Sequence, residues 1–328
     1  MPVLDYSGYL NHPGQLNLAG DEFALAIEQF NGRVKNSAMW AQQVKPFFTF
    51  VPLTGTTTMS NASMGDASIT KVSAGVEPTA GSIEMGRQIV TVETPIICRT
   101  IVSMLEDVQD RLSVRSRLPE NYGRQIQKHE DRVLLVKGVQ AARTAAGPVS
   151  DIPGGTVKTY AAAGDETDPD AAEALVLSLA QAMDEKEVPR ENGIMMVDPE
   201  TYYTLLQANK LISTDYNMNN GDYSSVRILR AGGFPLMATN RFQQTADDGS
   251  TSGSIGNLYG SEYYTDATGA RIKGLFVTNE MLMVAEAIPL TPKVWWSDQL
   301  LCWFIDAFKA IGAAVDRADY AAGIFEHA

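Results

Sequence analysis

The segment from Leu118 to Ala146 constrains this chain more than any other, because nothing between its ends stops a helix. Pro119 suits a first helical position, where its fixed φ and missing N–H cost little, and Gly147-Pro148 supplies a stop. Tyr122, Ile126, Val133, Val136 and Val139 recur at spacings of three, four and seven, which makes one stripe apolar. Arg124, Lys128 and Arg132 stand at i, i+4 and i+8, a basic line on a different face, with Glu120 placed to pair with Arg124. Gly123 and Gly138 each cost about 1 kcal/mol of helix propensity relative to Ala, so packing has to hold the rod. At 1.5 Å per residue the predicted helix is roughly 40 Å long. It is a spine along which other segments must lie.

Upstream, residues 1–20 read as an extended arm punctuated by Gly8, Pro13, Gly14 and Gly20. Asp21 then offers an N-cap to a helix with Phe23, Ile27, Phe30 and Val34 on one side. Such a helix needs a surface, either on a neighbour or on its own domain. From Pro46 to Pro95 a strand at 47–51 gives way to a run of Thr, Ser, Gly and Met, and a second strand follows at 83–92. Gly75, Pro78 and Gly81 mark turns between them. A lone two-stranded ribbon is marginal in water, so this excursion must be propped on something. A strand at 96–102 and a short helix at 103–112 lead into the spine.

Downstream, helix and strand alternate. Asp168-Pro169 caps a helix to about Lys186 with Leu175, Leu179 and Ala182 inward. A buried strand at 194–197 precedes a helix opened by Asp198-Pro199-Glu200 and lined by Tyr202, Leu205 and Leu206. Strands at 227–229, 234–238 and 275–277 complete a compact α/β region, while 247–271 reads as a surface loop. The apolar stretches Val294–Trp296 and Leu300–Ile311 then return to the spine. The fold class is α+β.

Charge narrows the function. With 26 basic and 39 acidic residues the chain carries −13, which argues against a dedicated nucleic-acid binder. Cys98 and Cys302 stand alone in apolar surroundings and read as buried free thiols. No signal peptide and no membrane span are expected. His12, His129 and His327 lack metal-ligand spacing. Asp165, Asp168, Asp170 and Glu173 read as helix capping rather than a cation site. Gly249–Gly253 has the outline of a nucleophile elbow but carries Thr251 in place of the serine. Trp295, Trp296 and Trp303 are expected in a core. The basic line on the spine is either a solvated face or a contact for an acidic partner or nucleic-acid backbone. No catalytic, cofactor or metal residue is expected.

Several strings, in their order, carry a resemblance. They are Ala19-Gly20-Asp21, Ala24-Leu25, Phe30, Gly32 and Val34; Ile101 to Asp107 with Val114-Arg115-Ser116; and Val188-Pro189 with Val197 to Tyr202. The C-terminal part is Ala310-Ile311-Gly312, Arg317 and Ala321-Ala322-Gly323. Together they resemble the major capsid protein of tailed bacteriophages, the Hong Kong 97-type shell fold, and more narrowly that of short-tailed podoviruses of the autographivirus type. Ala318 departs from the proline frequent there, and Tyr320 looks inserted.

The resemblance implies an N-terminal arm at 1–51, an extended E-loop hairpin at 52–90 and a P-domain at 91–160 holding the spine. It further implies an A-domain at 161–285 and a return to the P-domain at 286–328. It implies a major capsid protein, not an enzyme, that forms hexamers and pentamers closing an icosahedral head around double-stranded DNA. Subunit contacts would involve Phe23, Ile27, Phe30, Val34, Gly75, Pro78, Gly81 and Arg317. Arg124, Lys128 and Arg132 would meet scaffold or DNA on the inner face. The implied partners are further copies of itself, a scaffolding protein, a portal at one vertex, weakly held DNA and, in some shells, a cement protein. Assembly would occur in the host cytoplasm and the product would reside in the virion. Two alternatives stand beside this: an encapsulin-like nanocompartment on the same fold, and an enzyme with a site in the A-domain cleft, which would need convergent polar residues.

Overall fold

The computed structural model describes residues 24–67, 69, 71, 75, 77, 81–92, 95–103, 114–189, 193–208, 230–242 and 272–327, with side chains from 29 onward in the first helix and from 118 onward in the second. The Asp21 cap, nearly all of the expected 103–112 helix, the strand at 227–229 and the loop at 247–271 lie outside the described residues. The elements are α1 Ala24–Ala41, β1 Phe50–Pro52, β2 Thr58–Met64, β3 Met85–Thr91, β4 Ile96–Ser103, α2 Val114–Arg143, β5 Thr156–Thr159 and α3 Pro169–Glu185. There follow β6 Gly193–Val197, α4 Pro199–Gln207, β7 Arg230–Ala231, β8 Phe234–Ala238, β9 Ile272–Thr278, β10 Leu282–Ser297, β11 Cys302–Val315 and β12 Ala322–Phe325.

The spine is α2, and its ends differ from the sequence expectation. It starts at Val114, so Pro119 lies inside the helix rather than opening it. It is the sixth residue, past the N–H groups that lack a partner at a helix start, so it removes one backbone bond, that to the Arg115 carbonyl. The helix stops at Arg143, before the Gly-Pro pair. There Thr144 Oγ1 donates to the Gln140 carbonyl at 2.8 Å, and Gly155 N–H donates to the Thr144 carbonyl at 2.8 Å. A Cβ on Gly155 would fall 2.3 Å from the Ala142 carbonyl oxygen, so the close approach of the 154–155 backbone ends the helix. A second difference lies at 47–51. Pro46 starts a 3₁₀ turn at Lys45–Phe47, and the strand is only Phe50–Pro52.

The described chain divides into two units: one of residues up to 42, 93–130 and 286–311, the other of 43–92, 131–285 and 312–328. In the first, β11 pairs antiparallel with β4 from Cys302↔Ser103 to Lys309↔Ile96. One face of that pair carries Cys98, Val102, Ile305 and Ala307 against Phe30, Val34, Tyr122 and Ile126. Gly123 is where the helices cross, for a Cβ there would sit 2.3 Å from the Val34 carbonyl oxygen.

The second unit is built on a six-stranded sheet in the order β5-β12-β9-β6-β8-β7. β6 runs parallel to β8 and antiparallel to β9, and β12 runs parallel to β5 and antiparallel to β9. Both faces are covered. Met196, Leu275 and Val277 face Leu134, Leu135 and Val139 of α2, while Met195, Val197 and Phe276 face Val176, Leu179, Met183 and Leu205 of α3 and α4. Burial on both sides is why β6 reads Gly-Ile-Met-Met-Val without polar alternation. The buried stripe of α3 is Ala172, Val176, Leu179, Ala180 and Met183, rotated slightly from the expected Leu175, Leu179 and Ala182. Asp168 caps this helix as expected, its side chain accepting from Asp170 N–H at 3.1 Å. The last strand, β12, enters this sheet between β5 and β9.

Candidate subunit interfaces

The β2–β3 hairpin pairs in register from Thr58↔Thr91 to Met64↔Met85. Side chains alternate between two faces, and the two faces have opposite surroundings. The inward face is anchored within its own unit. Asn61 Nδ2 donates to both carboxylate oxygens of Asp316, at 3.0 and 2.8 Å. Gly86 lies so close to the chain that a Cβ would fall 2.6 Å from the Pro148 carbonyl oxygen, and Val90 is buried. Beyond the strand end, Glu84 accepts from Ser150 N–H at 3.2 Å and its Oγ–H at 2.7 Å. These two bonds to Ser150 hold its carboxyl below the usual range. The outward face carries Met64, Met85 and Ile89, all exposed, with Arg87 between them donating to Ser60 Oγ at 3.0 Å.

The residues expected at interfaces separate into groups. Gly75 and Gly81 are exposed beyond the hairpin, and Gly75 has φ +85°, the conformation for which glycine suits a turn. Pro78 and Phe23 lie outside the described residues, as does the side chain of Ile27. Phe30 and Val34 are buried in the core of their own unit, and among the residues of α1 whose side chains are described Met39 and Trp40 are the large apolar ones that are exposed. Arg317 grips its own turn: Nε and a terminal nitrogen donate to Asp319 at 3.0 and 2.6 Å, and its guanidinium lies 4.9 Å from the Tyr320 ring centre. Of the basic line, Arg124 is exposed, while Lys128 and Arg132 are half-buried.

Sequence reading missed three arrangements. Trp295, Trp296 and Trp303 are not a core: Trp295 is exposed, and the other two are half-buried and meet edge to face, 5.1 Å between ring centres. At the β10–β11 turn Leu300 and Leu301 are exposed, and Leu301 takes φ +46°, unusual for a bulky residue. Buried charges form two anchors. Asp131, fully buried, accepts from the backbone N–H groups of Gln43, Val44 and Lys45 at 3.2, 3.3 and 3.4 Å and pairs with Arg241 at 3.4 Å. Lys309 sits between Glu130 at 2.6 Å and Glu286 at 3.1 Å. Spacing along the chain gives no sign of these partners, which lie far apart in sequence.

A groove of about 440 Å³ beside the hairpin is lined by residues that include Asn61, Met64, Glu280, Asp316 and Arg317. Asp316 is occupied by Asn61 and Arg317 by Asp319, so the lining is already committed to holding the chain together. Among the described residues no group of three or more His, Cys, Asp or Glu is placed to hold a metal, and no helix is long and apolar enough to cross a membrane.

A family model described as Gp10A-like major capsid protein matches residues 73–281, more than half of the chain. No curated protein matches it by sequence. Among solved structures, the mature capsid of bacteriophage PhiM1 is similar at TM-score 0.73 and 19% identity, covering 87% of both chains. The capsid of cyanophage P-SCSP1u is similar at TM-score 0.70 and 19% identity, covering 86% of both. A virus-like particle from Pyrococcus furiosus is similar at TM-score 0.53 and 9% identity, covering 92% of this chain and 98% of that one. At such identities these likenesses establish the fold, which is the Hong Kong 97-type shell fold in the α+β class.

Proposed function

The chain belongs to the Gp10A-like family of major capsid proteins, and from that premise we propose that it assembles as hexamers and pentamers into an icosahedral phage head enclosing double-stranded DNA. The observation that carries this is the family match together with the hairpin. The hairpin is fastened along one face to its own unit while the opposite face offers Met64, Met85 and Ile89 to solvent. A monomer gains nothing from exposing such a row, whereas a shell subunit has neighbours to cover it. The assignment of 1–51 to the arm, 52–90 to the E-loop, 91–160 and 286–328 to the P-domain and 161–285 to the A-domain belongs to the same proposal. So does the kinship with podoviruses of the autographivirus type.

Assembly would run on a scaffolding protein in the host cytoplasm, with a portal at one vertex and, in some shells, a cement protein. Phe23, Ile27, Gly75, Pro78, Gly81 and Arg317 are proposed near the contacts between subunits. The net charge of −13 keeps DNA loosely held, and Arg124, Lys128 and Arg132 are proposed as the exception, touching scaffold or DNA. A charge-reversed triple variant at these positions is expected to impair assembly or packaging, and normal heads would remove them from that role. The test of the whole reading is expression with and without a scaffolding protein, followed by electron microscopy. Closed polyhedra are expected. A product that stays dispersed under both conditions would refute the reading, and shells filled with a protein cargo instead of DNA would favour a nanocompartment.

A further inference from the structure

The inward face of the β2–β3 hairpin changes character along its length. Its register pairs Met59 with Val90 at the root, then Asn61 with Gln88, then Ser63 with Gly86. Met59 is half-buried and Val90 buried, so the root is held by apolar contact. Farther out the hold is polar. Two grooves of about 280 and 440 Å³ lie there, both lined in part by Asp316. Gln88 lines the first and Asn61 the second, so this half of the hairpin runs over open grooves rather than a dry core. Asn61 fastens its middle to Asp316. At the outer end a single oxygen, Glu84 Oε2, accepts both bonds from Ser150, the N–H at 3.2 Å and the Oγ–H at 2.7 Å.

We propose that Glu84 is a proton-operated clasp: its carboxylate fastens the outer end of the hairpin to the 148–152 loop, and its protonation frees that end while the root stays seated. Apolar contact at Met59 and Val90 is indifferent to pH. The clasp is not, because a hydrogen bond to an ionised acceptor is about twice as strong as one to a neutral group. The two bonds from Ser150 hold the Glu84 carboxyl below its ordinary range. The clasp is therefore closed above the unfolded glutamate value of about 4.3 and opens as pH falls through the lower clasped value. Other charged groups surround the hairpin. Asp66 follows Gly65, whose N–H donates to the Glu84 carbonyl, and a Cβ on Gly65 would sit 2.7 Å from Asp151 Oδ2 of the loop. Lys137 lines the first groove, and Glu280 and Arg317 line the second. It is Ser150, not these charges, that lowers the Glu84 carboxyl. The Asn61–Asp316 link lies farther in and acts as a stop, so what lifts is the end that carries Met64 and Met85. The shell reading gives this a use, two settings of the hairpin in one chain, but the mechanism resides in a single subunit and does not rest on that reading.

Distances between nitroxide spin labels on the full chain test this, on a Cys98→Ser/Cys302→Ser background and with labelled chain diluted into unlabelled chain. Met64→Cys with Leu177→Cys reports the outer end against α3 of the same unit, since both positions are exposed. Thr58→Cys with Leu177→Cys reports the root. Near neutral pH each pair is expected to give one narrow distance. Toward about pH 3 the outer pair should gain a second, longer distance while the root pair keeps its own. Glu84→Gln, which copies the protonated side chain, should show the longer distance already near neutral pH and respond no further to acid. This variant decides the matter even where the wild-type chain unfolds in acid. Glu84→Gln distances that match wild type near neutral pH overturn the clasp. So does an outer pair that holds its distance throughout the titration, or an acid shift that persists in Glu84→Gln. None of these outcomes bears on shell formation, which microscopy of the unlabelled chain decides separately.

Discussion

Lys309 offers the sharpest test of the physical reasoning, because its amine and the Glu130 carboxylate are both almost completely buried. Replacing Lys309 by Met leaves Glu130 enclosed and facing Glu286 without the cation that joins them. Breaking a buried pair from one side costs about 3–5 kcal/mol, whereas removing both partners is often neutral or stabilising. Glu130→Leu/Lys309→Met should therefore recover most of what Lys309→Met loses. The assay is built into the chain: Trp40, Trp295, Trp296 and Trp303, its only tryptophans, all lie in the same unit as the pair. Tryptophan fluorescence in urea thus follows that unit alone. With a slope of about 2 kcal/mol per molar urea, the single variant should lower the midpoint by roughly 1.5–2.5 M. Burial pushes the Lys309 amine down, but Glu130 and Glu286 outweigh it and hold it above its ordinary value. The resulting stabilisation is complete below the unfolded value of about 10.4 and is lost as pH rises through the higher folded value. Wild type should weaken above that pH in a way that Lys309→Met does not. A midpoint moved by less than about 0.5 M, or a double variant no better than the single, would refute the account.

Three further outcomes follow from the same geometry. Asp131→Ala strips three backbone N–H groups of their acceptor and leaves Arg241 buried without its carboxylate; it should cost about 3–5 kcal/mol and speed hydrogen exchange at Gln43, Val44 and Lys45 first. Gly86→Val places a side chain against the Pro148 backbone, 2.6 Å from its oxygen at the Cβ alone. It should lift the hairpin and expose it to limited proteolysis, at a cost of about 1–3 kcal/mol, and protection equal to wild type would count against the anchored hairpin. Asp306 is opposed by burial, yet its bonds from Arg99 and Trp295 hold its carboxyl below the usual range. That contribution is present above the unfolded carboxyl value and lost as pH falls through the lower folded one. Arg99→Met should therefore move the acid transition of tryptophan fluorescence to higher pH, and an unchanged acid limb would contradict the assignment.

Local chemistry made much of this molecule legible in advance. The spine could be read because its apolar residues from Tyr122 to Val139 keep helical spacing for about five turns, at 3.6 residues each. The cap at Asp168 could be read because a short acceptor followed by proline satisfies a helix start by itself. The hairpin was recognisable from its poverty in large apolar groups, which left it unable to stand alone. What failed were inferences about surroundings. The tryptophans looked like core from their apolar neighbours in sequence, yet Trp295 is exposed because its partner Phe304 covers one side of the ring only. Phe30 and Val34 had the spacing of a docking face, and the surface they dock on belongs to their own unit.

The amino-acid sequence by itself determined which stretches would be helix, ribbon or sheet, since hydrogen bonding and alternation of polarity act over a few neighbouring residues. It could not say which side of the ribbon would be fastened or which side of β4 would be left bare. Those depend on Asp316 reaching Asn61, Ser150 reaching Glu84 and Phe304 lying beneath Trp295. Such partners come from distant parts of the chain, and only the closed fold, in which chain entropy has already been given up, brings them within bonding distance.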